Sequence, residues 1–217
     1  MINDPSWTAL REASKETFGI VSTEQAARYG VAVERLEAAA AREEVWKTPD
    51  ELWIVEDVDI FRIEDWAAAW LAIDLATPIS QRRANPESFV SHQSAAMILS
   101  IGDVTTRDFM LTVAQPLPWV PAIVRQMVGS LGRQGVDWEL VDGLPVATPS
   151  RIITDLAAAR SVDGSHLGTV LFDVMSAGLL TSAEVGELMR PYLHFWCQQP
   201  ELGPDHVIDL LIAGFRG

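Results

Sequence analysis

Residues 142–149 constrain this chain more than any other stretch. Asp142-Gly143 is a two-residue turn in which both positions take positive φ, so it joins two antiparallel strands. The hairpin is read over residues 136–147. Pro145 has no N–H to give to a ladder, which places its strand at an edge or a sheet end. Thr148-Pro149 then opens a helix. Thr148 is its cap, and Pro149 takes the first helical position, where a missing N–H leaves nothing unpaired. Arg151 and Asp155 follow four apart and can pair along that helix, for about a few tenths of a kcal/mol.

Upstream, Ser91 reads as the N-cap of a helix through Ser94, Ala95, Ala96, Ile98 and Leu99, whose small face suits close packing on a sheet. Gly102-Asp103 ends that helix. Residues 109–114 are a strand closed by Pro116 and Pro118. Downstream, helices are expected over residues 166–177, 181–190 and 204–214, broken at Gly178 and Gly203.

The N-terminal part has another pattern. Residues 5–18 place Trp7, Leu10, Ala13 and Phe18 at roughly helical spacing. Ser22-Thr23-Glu24-Gln25 is a capping box for a short second helix ending at Tyr29. Gly30 supplies the positive φ of a tight turn, and a third helix runs over residues 32–43. Ala26, Gly30 and Leu36 fall at helix-turn-helix spacing: a small residue for close crossing, a glycine for the turn, an aliphatic anchor. Residues 45–48, Pro49-Asp50 and residues 51–55 read as strand, turn and strand, the wing of a winged helix. Residues 59–75 form an amphipathic connector helix with Trp66, Trp70 and Leu71 on one stripe, and Thr77-Pro78 and Asn85-Pro86 break the chain after it. The expected fold class is α+β: an N-terminal winged helix-turn-helix (residues 1–57), a connector (58–87), and a mixed α/β C-terminal domain with a helical end (88–217).

Charge limits the partners. The formal net charge is −14, with 16 Lys and Arg against 30 Asp and Glu. Like charges repel a polyanion, so any DNA contact must come from a small local patch. Of the six Lys and Arg in the N-terminal domain, Arg28, Arg35, Arg42 and Lys47 are the ones expected on that surface. A recognition helix presents its first residues to base edges, and here these include Glu34 and Glu37, which can accept only from cytosine. An acidic body suits a basic protein partner instead. No apolar run reaches membrane-spanning length, and the start lacks the basic-then-apolar order of a signal peptide. The default location is cytoplasmic.

Gly129-Ser130 followed by Asp137 and Glu139 has the Gly-Ser turn and paired carboxylates of a nucleotidyltransferase, but the loop from Ser130 to Asp137 is short. Ser91, His92 and Asp155 suggest a triad, yet no Gly-x-Ser-x-Gly elbow exists. His92, His166, His194 and His206 lack zinc spacing to one another or to Cys197, the one cysteine. Cys197 reads as a buried small hydrophobe, and most of the 8 tryptophans as core, with Trp119 in a proline-rich loop. The expectation is no catalytic residue, no cofactor and no metal.

Two segments carry a resemblance: Ser91-His92-Gln93-Ser94-Ala95-Ala96, and Gly143-Leu144-Pro145-Val146 running on through Thr148-Pro149-Ser150-Arg151 to Asp155-Leu156-Ala157. With Leu111-Thr112-Val113 between them and the helix-turn-helix before them, they resemble the AbiEi family over residues 18–192. AbiEi proteins are the antitoxin and regulator half of type IV toxin–antitoxin pairs. The resemblance implies a winged helix that represses its own operon on promoter DNA. It also implies a C-terminal domain that neutralises, directly or indirectly, a cognate AbiEii-like nucleotidyltransferase toxin. Two departures stand out: the recognition helix and wing are acidic, and the segment after Leu193 is short. The alternative is a protein-interaction adaptor with a degenerate winged helix that no longer binds DNA; the third reading is a nucleotidyltransferase.

Overall fold

A computed structural model describes residues 4–56 and 63–216, with side chains given to residue 214. It is a mixed α+β protein of two units: Met1–Asn85 with Pro118–Ala122, and Pro86–Leu117 with Ile123–Gly217.

In the first unit, α1 (Pro5–Ser14) starts at Asp4, whose carboxylate accepts from Ser6 N at 2.8 Å, with Pro5 in the first helical position. Phe18 and Gly19 both take positive φ and reverse the chain into β1 (Ile20–Val21), a strand the sequence pattern does not announce. The capping box on α2 (Thr23–Arg28) forms as expected: Gln25 N donates to Ser22 Oγ at 3.1 Å, and Ser22 N donates back to Gln25 Oε1 at 2.8 Å. Gly30, at φ +78°, makes the turn into α3 (Val33–Ala40). Then β2 (Trp46–Lys47) and β3 (Trp53–Ile54) pair antiparallel, and β3 pairs with β1, giving the order β1-β3-β2. Trp7, Leu10, Ala26, Val31, Leu36, Ala39, Val45, Trp53 and Val55 form the core beneath. Each large side chain there contributes about 1.5–3 kcal/mol by leaving water. Of the three positions read from spacing, Ala26 and Leu36 are fully buried in this core and Gly30 lies in the turn between α2 and α3.

Two further helices belong to this unit, α4 (Glu64–Ile73) and α5 (Ile79–Ala84). The first four residues of the expected connector helix lie outside the described residues. The rest is not amphipathic: Ala67, Ala68, Ala69, Trp70, Leu71 and Ala72 are all buried, so the helix is covered around most of its circumference. Its C-terminal carbonyls are closed by a device the sequence did not suggest. Arg82 is 1 % exposed. Its guanidinium donates to the carbonyls of Trp70 (2.7 Å), Leu71 (3.2 Å) and Asp74 (2.7 Å) and lies 3.9 Å from the Trp70 ring centroid. A cation at a helix C-terminus meets the negative end of the backbone dipoles as well as the unpaired carbonyls.

The second unit is built on a five-stranded sheet: β4 (Ser88–Val90), β5 (Phe109–Val113), β6 (Val124–Val128), β7 (Trp138–Val141) and β8 (Leu144–Ala147), in the order β6-β5-β4-β8-β7. β4 and β6 were not foreseen; both are short and lack clean alternation. β7 and β8 form the expected hairpin, with Asp142 and Gly143 both at positive φ. The edge placement of Pro145 is corrected. β8 lies inside the sheet, between β7 and β4. It meets β4 at a single register pair, Val90↔Val146, so residue 145 lies before the first paired residue of that ladder.

Helix α6 (His92–Leu99) follows β4 directly, and α7 (Pro149–Ala159) follows β8. These two helices pack on each other and on the sheet. The helical end comprises α8 (Gly164–Ser176), α9 (Ser182–Met189), the short α10 (Leu193–Trp196) and α11 (Pro204–Arg216). Cys197 is half-buried rather than enclosed. Of the tryptophans, Trp7, Trp53, Trp70 and Trp138 are core, while Trp46 and Trp119 are exposed.

Candidate functional site

The motif residues of the second unit, separated by some sixty positions in sequence, meet where the N-terminus of α6 faces α7. Thr148 caps α7, its hydroxyl accepting from Arg151 N, and Pro149 holds the first helical position. This cap fixes the phase of the helix, and Arg151 and Asp155 then fall on one side. Arg151 Nε donates to Asp155 Oδ1 at 2.7 Å. Arg151 Nη1 donates to Ser130 O at 2.9 Å and lies 3.5 Å from Asp137 Oδ1. The guanidinium carbon is 5.1 Å from the Phe89 ring centroid. The pairing expected between Arg151 and Asp155 is therefore present, but within a part-buried network rather than on an exposed helix face.

Ser91 precedes α6 in the extended conformation of an N-cap, yet its side chain caps nothing. Its hydroxyl lies 2.9 Å from His92 Nδ1 instead. His92 is at φ +52°, a left-handed conformation that a histidine adopts at some cost. This turn buries the imidazole against α7, with Nδ1 3.7 Å from Asp155 Oδ2. No hydrogen bond reaches Asp155 Oδ2, which is buried.

A Ser-His-Asp relay needs the acid on one imidazole nitrogen and the nucleophile on the other. Here Ser91 and Asp155 both address Nδ1, and Ser91 is fully buried. The arrangement does not support proton relay; it is a buried polar junction between two helices and the sheet.

Burial sets the charges of this junction. It pushes the His92 imidazole below its ordinary pKa against the opposing pull of Asp155, with Arg151 and Arg125 also lowering it. Burial raises the Asp155 carboxyl, opposed by His92 and Arg151. The lowered His92 value means that the unfolded chain takes up the proton more readily. Its contribution is complete above the unfolded value near 6.5 and is lost as pH falls below that value toward the lowered folded one. Asp155 acts in the opposite sense at lower pH. The melting temperature is expected to fall between pH 7.5 and 5.5. His92→Asn, which keeps a residue tolerant of positive φ, should flatten that slope. Parallel slopes for the two proteins in thermal melts across this range would refute the assignment.

The two carboxylates of the nucleotidyltransferase reading are not arranged for metal. Asp137 precedes β7, and its Oδ2 accepts from Arg133 N at 2.8 Å. A Cβ at Gly132 would sit 2.0 Å from that oxygen, so the carboxylate is packed into its own loop. Glu139 is exposed on β7. Among the described residues, no three His, Cys, Asp or Glu side chains gather as a ligand set.

The four candidate DNA contacts of the first unit are not brought together as a free basic patch. Arg35 is ion-paired with Asp4, donates to Gly30 O at 3.1 Å, and lies over the Trp7 ring. Arg42 bonds Glu44 at 3.0 Å, and Lys47 is ion-paired with Glu51. Arg28 has no carboxylate within ion-pair range among the described residues. It lines a cavity of about 300 Å³ with Gln25, Glu16 and Asp74. The exposed face of α3 carries Glu34, Glu37 and Ala38.

Fold and site together define a mixed α+β protein with a polar junction in its second unit. No family model matches this chain, and no curated protein does. Among solved structures, it is similar to the crystal structure of the RV2827C protein from Mycobacterium tuberculosis, at 15% identity and a TM-score of 0.48, covering 94% of this chain and 77% of that one. A likeness that distant carries no inference about function. Among the described residues, no helix is long and apolar enough to cross a membrane.

Proposed function

We propose that this chain is an AbiEi-like antitoxin, with a winged-helix head and a body that neutralises a nucleotidyltransferase-like toxin. The observation that carries the reading is the convergence of its motif residues. Ser91, His92, Arg151 and Asp155, which resemble the family only by order and spacing, meet in one junction under the Thr148 cap. Their role is architectural: they lock α6 and α7 to the sheet and so shape the surface that a toxin would meet. The order α1-β1-α2-α3-β2-β3, with an antiparallel three-stranded sheet, is compatible with a winged helix.

One observation favours the adaptor reading for the head. Arg35, Arg42 and Lys47 each have a carboxylate partner, and the exposed face of α3 is acidic. A groove-reading helix needs cations for phosphates and donors for guanine. The head therefore acts by protein contact, and the net charge of −14 complements a toxin whose nucleic-acid face is basic. In a gel-shift assay with the DNA upstream of its own gene, no discrete complex is expected. Co-expression with the product of the adjacent reading frame is expected to restore growth. A salt-sensitive shift weakened by Arg28→Ala and Arg35→Ala would restore the repressor reading; failure to rescue growth would remove the antitoxin.

A further inference from the structure

We propose that β6 is a dimerisation edge, at which two copies of this chain pair antiparallel about a two-fold axis into one ten-stranded sheet. The inference is independent of the antitoxin reading and rests on three features of the strand.

The first is its hydrogen-bond phase. β6 is the last strand of its sheet and runs parallel to β5, in the register Phe109↔Val124, Leu111↔Gln126 and Val113↔Val128. Phe109 N donates to Ile123 O at 2.8 Å at one end of this ladder, and Gly129 N donates to Val113 O at 2.9 Å at the other. In a parallel pair, alternate residues of a strand use both backbone groups on the same neighbour. Arg125 and Met127 therefore face β5, and Val124, Gln126 and Val128 direct their N–H and C=O groups away from the sheet. No described residue bonds those outward groups.

The second is self-complementarity. Centring an antiparallel pair on Gln126 sets Gln126 opposite its own copy and Val124 opposite Val128, all as hydrogen-bonded pairs. Every outward N–H then meets an outward C=O, and none is left over. On the other face Arg125 falls beside Met127 of the second copy, so no like charges stand directly opposite. A two-fold contact of this kind is closed and stops at a dimer.

The third is protection, or its absence. Exposed edges are ordinarily blunted by charges, prolines or bulges. β6 has a single charge, Arg125, and no proline, and its ladder with β5 is unbroken. Val128 is 65 % exposed and Ile123 42 %. Residues 114–136 contain no Asp or Glu in a chain that carries 30 of them. Two copies at −14 each repel over most of their surface, and this acid-free edge is where close approach costs least.

The test is sedimentation of the full chain at micromolar concentration. A species of twice the 23.8 kDa chain mass is expected. Val128→Lys, which sets a lysine against the buried Val124 of the second copy, should return it to the chain mass without altering the circular dichroism spectrum. A wild-type monomer, or a Val128→Lys protein that stays dimeric, would overturn the proposal. Hydrogen exchange gives a readout that needs no variant. The amides of Val124, Gln126 and Val128 should slow severalfold on concentration, while those of Arg125 and Met127 stay protected throughout. Outward amides that exchange at one rate at every concentration would equally overturn it.

Discussion

Gly168→Ala is expected to destabilise the second unit by about 3 kcal/mol, lowering its melting temperature by roughly 10 °C. A methyl group is small, and alanine is the better helix former by about 1 kcal/mol, so the sign is decided by packing. Gly168 lies inside α8 where α11 crosses it. A Cβ there would stand 2.1 Å from Leu211 O and 2.6 Å from the carbonyl carbon. These are backbone atoms of a helix, and no rotamer change moves them. The two helices must separate, and the buried contacts of Leu167, Val170, Leu171, Val207 and Ile208 loosen with them. Gly164→Ala is the control on the same helix. Its Cβ would meet only the flexible end of Leu211, at 3.2 Å, and the expected change stays within about 1 kcal/mol. Calorimetry distinguishes the two; equal melting temperatures would show that the crossing yields and that the close approach is not needed.

That glycine was invisible in the sequence for a physical reason. Glycines at Gly30, Gly143, Gly178 and Gly203 announce themselves through turn chemistry, and all take positive φ. Gly168 has ordinary helical geometry, and its purpose lies on another element more than forty residues away. The same division runs through the whole fold. Local signals were legible: the Ser22–Gln25 box, the Asp142-Gly143 turn and the Thr148-Pro149 helix start each involve groups within four residues of one another. Strands β1, β4 and β6 were not, because two to five residues without strict alternation take their identity from neighbours distant in the chain. Arg82 was missed likewise, since nothing near it in sequence reveals that a helix end needs its guanidinium. In the junction, the Arg151–Asp155 spacing was readable and so was the grouping of Ser91, His92 and Asp155, but not that both partners meet the same ring nitrogen. The left-handed backbone of His92 turns the ring toward α7 instead of along its own helix.

Arg151→Met should prove the more damaging of the single substitutions in the junction, at about 3–5 kcal/mol near neutral pH. Methionine keeps the apolar stem over Phe89 and removes the charge and the donors. Asp155 then loses its bond to Nε, and Ser130 O its bond to Nη1. The carboxylate is already poorly provided for, since Oδ2 has no hydrogen-bond partner and burial raises its pKa. Without Arg151 the raised value rises further. A carboxyl whose folded pKa is raised favours the folded state at low pH, and that contribution is lost as pH rises through the folded value. The deficit of Arg151→Met should thus be largest at pH 7 and shrink toward pH 5, a trend that simple loss of packing would not produce. Asp155→Asn removes the charge from the other side. Combined with Arg151→Met it should recover part of the loss, because two uncharged partners leave no isolated ion in the junction. Urea unfolding of both single variants and the double, at pH 7 and pH 5, completes the cycle. Additive losses at both pH values would mean that Arg151 acts through its contacts to Ser130 and Phe89 alone, and that the ion pair is incidental to the way α7 is held.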